Sequence, residues 1–176
     1  SKGGSLLIST NNYVEFLLMA VKEFKKAVNL EPTTRGILNL AVAEASLYFC
    51  FRNHETDTTS VNIKEVISVI EKLISAYPSY AVAYFHLGLI HSRLGNYKES
   101  LDIFKKALEV FGDQKSYVDP WCIYPAEADS DPKSNFILGK PLNTALLMYC
   151  KGNEDKAMYD IRNLYQAAIY YYVSIL

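Results

Sequence analysis

Three histidines, His54, His86 and His91, are the first places to look for metal or acid–base chemistry. His86 and His91 stand five positions apart, which on a helix separates them by about 140°. A shared metal needs the four-residue spacing of an H-E-x-x-H pair, and that motif is absent. Cys50, Cys122 and Cys150 are widely spaced and form no C-x-x-C, so neither a zinc ribbon nor a dithiol redox motif is available. They read as reduced thiols of a cytosolic protein. Glu127, Asp129 and Asp131 lie close together but lack the central glycine and closing glutamate of an EF-hand, so they read as a solvated loop. Cys122 has no identifiable histidine partner, and G-x-G-x-x-G, G-x-x-x-x-G-K-[ST] and G-x-S-x-G are all missing. The expectation is a non-enzyme that uses no metal and no cofactor.

The elements that position these residues follow a helical period throughout. Val14, Leu17, Leu18, Val21, Phe24 and Val28 recur three and four apart, which predicts a helix from Asn11 or Asn12 to Leu30, stopped by Pro32. A second helix is expected from Thr33 or Thr34 to Phe51, followed by a polar loop, Arg52–Ser60. Val61–Ala76 carries Ile63, Val66, Ile67, Ile70, Leu73 and Ile74 on one face and ends at Pro78. Helices over about Ser79–Leu94 and Tyr97–Phe111 are punctuated by Gly95-Asn96 and Gly112. Regularity then breaks over 113–135, where Pro120, Pro125 and Pro132 sit among polar residues. Pro141 fits the first turn of a sixth helix, and Glu154 begins a seventh that meets no breaker.

One helix pair repeats a pattern. Tyr84-x2-Leu87-Gly88-x2-His91 is followed by Gly95, Tyr97, Ser100-x3-Phe104-x2-Ala107 and Gly112. The second half recurs as Ala20-x3-Phe24-x2-Ala27-x4-Pro32, as Val66-x3-Ile70-x2-Leu73-x4-Pro78, and as Ala157-x3-Ile161-x2-Leu164. Ile70 and Phe104 stand one period of 34 apart, and the longer intervals on either side absorb the two loops. On these residues the chain resembles the tetratricopeptide repeat family over about four fifths of its length. The resemblance implies an all-α fold of about seven helices: a right-handed superhelical stack of antiparallel helix pairs with one long irregular loop. Residues 1–10 are expected to be a cloning remnant or flexible start, and 11–176 a single domain with its best repeat at 81–115 and a final pair at 141–176. Its apolar, aromatic C-terminus suggests a piece of a longer protein. The Tyr-rich last helix, with Tyr165, Tyr170, Tyr171 and Tyr172, is expected to cap the stack or to mediate self-association.

The resemblance also implies a function. First helices of such pairs line a concave groove that binds another protein or peptide. By that count the groove candidates are Asn39, Phe85, His86, Leu89, Arg93, Asn143 and Tyr149. Phe85 and Leu89 stand where carboxylate-clamping members carry polar residues, so an apolar peptide or amphipathic helix is the expected ligand. Trp121 and Tyr124, in the proline-rich loop, are a second candidate anchor for a partner. The family's habits offer an alternative, a regulatory or substrate-presenting domain of a larger enzyme such as a glycosyltransferase.

Bulk properties narrow the partner. With 18 Lys+Arg against 19 Asp+Glu the formal net charge is −1, and no basic stripe is present, which argues against nucleic acid. Neither apolar stretch, Gly36–Phe51 or Leu164–Leu176, reaches the roughly 18 residues that a bilayer requires. A cytoplasmic protein without a membrane span is expected.

Overall fold

The computed structural model describes residues 3–52, 61–121 and 140–176, and side chains from Val14 onward except those of Arg52, Lys140 and Asn143. Every regular element among them is a helix: α1 Gly3–Leu30, α2 Thr34–Arg52, α3 Ile63–Ala76, α4 Ala81–Leu94, α5 Tyr97–Gly112, α6 Lys140–Cys150 and α7 Glu154–Ile175. The expected helices are all present. The main difference is at the start, where α1 begins at Gly3 rather than near Asn11. Nothing between Gly4 and Leu30 breaks a helix, so it propagates through the segment expected to be a remnant. The described residues fall into two compact units, 1–69 and 70–176, each taken by itself below.

In the first unit α1 and α2 pack antiparallel across the Glu31–Thr33 turn. The Thr33 hydroxyl caps α2 by accepting the Gly36 amide at 3.0 Å. Leu38, Ala41, Val42, Ala45 and Phe49 of α2 are buried, and Lys25 of α1 reaches Glu44 at 3.5 Å. Asn62 opens α3: its side chain accepts the Lys64 amide and donates to Glu65.

In the second unit α4 and α5 form a tight pair. Gly95, at φ 83°, makes the left-handed turn after α4 and spares a Cβ penalty there. Gly88 is the point of closest approach, since a Cβ on it would lie 2.6 Å from Cε1 of Phe104. The Ser100 hydroxyl donates to the Gly88 carbonyl at 2.8 Å, which explains a small polar residue at a buried helix crossing. Tyr84 donates its hydroxyl back to the Pro78 carbonyl at 3.0 Å, fixing the turn that enters α4.

Beyond α5 the chain does not begin another helix at once. Residues 113–121 fold back on the start of α4. The Tyr117 amide donates to the Ser79 carbonyl at 2.8 Å, and the Ala81 amide donates to the Tyr117 carbonyl at 3.0 Å. The rings of Tyr80 and Tyr117 stack at 5.8 Å, and the Tyr80 hydroxyl donates to Asp119 at 3.0 Å. This part of the stretch expected to be irregular is therefore pinned by backbone and side-chain bonds. α6 and α7 then form a hairpin, and it is α7 that packs along α5.

Candidate functional site

The expected groove is built on α4, and what lies over α4 decides whether a partner can reach it. Phe85 is fully buried, and its ring meets Phe104 at 6.4 Å, Tyr165 at 5.1 Å and Tyr172 at 6.2 Å. Tyr172 also stacks on Phe104 at 5.9 Å, and Tyr165 stacks on Phe111 at 5.2 Å. Pairing of residue 104 with 172 and of 111 with 165 makes α7 antiparallel to α5 and hence parallel to α4. In a stack of antiparallel pairs this is where the first helix of a following pair belongs.

The order of the last pair is thereby inverted. Sequence alone reads α6 as the first helix of the final pair and α7 as its second, yet α7 is the one that stacks on the preceding pair. Because α7 runs antiparallel to both α5 and α6, α6 runs parallel to α5.

Arg162 of α7 was not among the expected site residues, yet it holds this arrangement together. Its Nη1 donates to the carbonyls of Phe111 at 2.8 Å and Asp113 at 2.9 Å and to the Ser116 hydroxyl at 2.7 Å. Its Nη2 donates to the Ser116 carbonyl at 3.0 Å. These acceptors lie at and just beyond the C-terminal end of α5, where the Phe111 carbonyl is one of the last-turn carbonyls that lack an intrahelical donor and the helix dipole is negative. Burial lowers the guanidinium pKa and nearby Asp113 opposes that shift. A lone arginine on a helix looks like a solvated residue in the sequence. The only signal was its place in line with Tyr165 and Ile169 on the inward face.

The remaining candidates separate. His86 and Leu89 are buried, as is Asn39 in the first unit, whereas Arg93 is exposed. The expected division, with Tyr84 and Leu87 for the core and Phe85 and Leu89 for a partner, does not hold: all four are buried. The physical reason at Phe85 is the aromatic cover from α7. His86 packs edge-on to Phe85 at 5.5 Å, and its Nε2 has no hydrogen-bond partner among the described residues. Burial alone pushes its pKa down to about 3, so it is neutral near pH 7. Tyr149 does not sit beside α4's candidates; it meets Trp121 edge-on at 5.9 Å. Trp121 keeps about 42% of its surface exposed. Tyr124 and the Asn143 side chain lie outside the described residues, as do His54, Cys122, Glu127, Asp129 and Asp131. Of the tyrosines expected to mediate self-association, Tyr165 and Tyr172 are buried and Tyr170 faces outward with Tyr159.

Open clefts lie among the described residues of these elements. One, of about 350 Å³, runs between α1, α2 and the start of α3, with aliphatic walls such as Val28, Leu40 and Val66 and with Lys25, Glu44 and Glu65 at its rim. Another, of about 400 Å³, lies between α6 and α7 along Ala145, Met148 and Leu164. Among the described residues no three His, Cys, Asp or Glu side chains are placed to share a metal ion, and no helix is long and apolar enough to cross a membrane.

Comparison with known proteins agrees with the geometry of the α4–α5 pair. Residues 81–113 match the family model of the tetratricopeptide repeat. No curated protein and no solved structure matches the chain. Among the described residues the fold is all-helical and includes one repeat of the tetratricopeptide type, a repeat that serves in general in protein-interaction scaffolds.

Proposed function

We propose that this chain is a protein-interaction module that takes an amphipathic helix or an apolar peptide on an aromatic helical-repeat surface. The observation that carries the reading is the face made by Phe85, Phe104 and Phe111 on α4 and α5. It already receives one amphipathic helix, α7, ring against ring. Aromatic side chains supply large contact area at low entropic cost, and helix-in-groove recognition uses such anchors. Arg93 and the half-exposed Trp121, which Tyr149 meets edge-on, are the exposed members of the candidate set. Cys50 and Cys150, which form no disulfide, fit a reducing, cytoplasmic setting.

The test is capture from the native lysate with immobilised wild-type chain, followed by identification and by titration with the purified partner. Arg93→Glu and Trp121→Ala, both checked by circular dichroism, serve as surface variants. Saturable binding that weakens in either folded variant supports the reading. A chain that binds no protein or peptide at micromolar concentrations overturns it.

A further inference from the structure

Resting on the reading above, we infer that α7 is a helical ligand held in cis. The partner is then an amphipathic helix with an arginine followed by aromatic rings three and ten residues later, and it displaces α7 from the α4–α5 face.

Three observations converge on this. The α4–α5 pair has its own interhelical contacts apart from α7: Gly88 against Phe104, and Ser100 to the Gly88 carbonyl. A complete repeat of this kind presents a finished receiving surface, and α7 is an added layer upon it. Second, α7 reaches that surface by an indirect route. A tight turn links α4 to α5, and another links α6 to α7, but 113–139 and the whole of α6 intervene between α5 and α7. The helix docked on the pair is thus not the one that follows it in the chain.

Third, the surface is chemically complementary to one pattern. At one end the α5 terminus offers four oxygen acceptors to a guanidinium: the carbonyls of Phe111, Asp113 and Ser116 and the Ser116 hydroxyl. That hydroxyl is aimed by its own donation to the Asp113 carbonyl at 2.7 Å. A planar fork of donors suits this cluster and an ammonium does not. Farther along, Phe111, Phe85 and Phe104 make ring-sized contacts for Tyr165 and Tyr172. Arg162, Tyr165 and Tyr172 fall on one helix face, so the code can be read from any helix that carries it. The outward side of α7, with Tyr159, Asn163, Tyr170 and Ser174, is exposed, as expected of an amphipathic ligand helix.

The first measurement is native-state hydrogen exchange on the full chain. Amides of α7 are expected to exchange through an opening at least about tenfold more populated than the one that exposes α4 and α5. Exchange of α7 together with α4 and α5 in one global event makes α7 integral core and overturns the proposal. The second uses a labelled peptide, Glu154–Ile175, added in trans to the full-length Arg162→Lys chain, whose own α7 is held less well. The peptide should bind that chain at least about tenfold more tightly than wild type, and a peptide carrying Arg162→Ala should lose about tenfold. Equal binding of both peptides, or none to the weakened and still folded chain, sinks the inference. A captured protein partner that leaves α7 exchange unchanged defeats this inference alone and leaves the interaction reading standing.

Discussion

The α4–α5 pair and the α6–α7 hairpin hold helices together by different means. In α4–α5 the contacts are local: a two-residue turn, a glycine beneath a phenylalanine sixteen positions on, and a serine twelve positions on bonded across the crossing. α7 instead attaches through partners far upstream, 46 to 51 residues away for the hydrogen bonds of Arg162 and farther for the rings of Tyr165 and Tyr172. The first kind of contact forms as soon as the hairpin closes. The second requires long-range docking, with its larger loop-closure entropy, before any hydrogen bond is made. The pair is therefore positioned by local contacts, while α7 is placed on it by the long-range contacts of one arginine and two tyrosines.

Substitutions can break that contrast. Phe104 is in both regions at once, beneath Gly88 and against Tyr172, so Phe104→Ala should cost most, about 3–5 kcal/mol in urea denaturation. A loss under about 1 kcal/mol would mean the two regions do not share a core. Gly88→Leu should destabilise by about 1–3 kcal/mol, since Phe104 is fully buried and cannot withdraw from a side chain at that position. If thermal unfolding of this variant matched wild type, the close approach would be wrong. Arg162→Met strands acceptors at the α5 terminus and should cost about 1–3 kcal/mol. Its distinctive signature is selective deprotection of 113–117 and α7 in hydrogen exchange, with α4–α5 protection retained.

The mildest test sharpens the contrast through pH. The pKa of His86 is depressed to about 3 in the folded chain, against 6.5 for the ordinary group. The unfolded chain therefore binds the proton first, and His86 disfavours the folded state progressively as pH falls from 6.5 toward 3. Above 6.5 it imposes no such penalty. His86→Leu removes the titration and an Nε2 without a partner among the described residues. Its urea midpoint should stay near wild type at about pH 7 and exceed it at about pH 4.5. Parallel pH profiles for the two proteins would show that His86 does not lose its proton affinity on folding.

How much of this was legible varies residue by residue. Gly88, Phe104, Ser100 and Ala107 announced the α4–α5 crossing because small-against-large spacing on two successive helices is a local constraint. Phe85 was misjudged as accessible for the complementary reason. Its ring faces a side of α4 whose cover arrives from Tyr165 and Tyr172, eighty or more positions away. Arg162 was overlooked because a charged residue at a helical inward position carries no mark of its acceptors, which are main-chain carbonyls rather than side chains of recognisable type. Trp121 is legible as an anchor but not in its direction, since Tyr149 meets it from α6, twenty-eight positions away.

By itself the sequence determined the helices and their punctuation and one complete tetratricopeptide repeat, because periodicity, breakers and glycine turns act within a few residues of where they stand. Tertiary structure decided that α7, not α6, stacks on that repeat, that 113–121 is pinned beneath the start of α4, and that Phe85 is covered. Those outcomes rest on which of several similar apolar faces gains most from meeting another, and on carbonyl groups that every residue possesses alike.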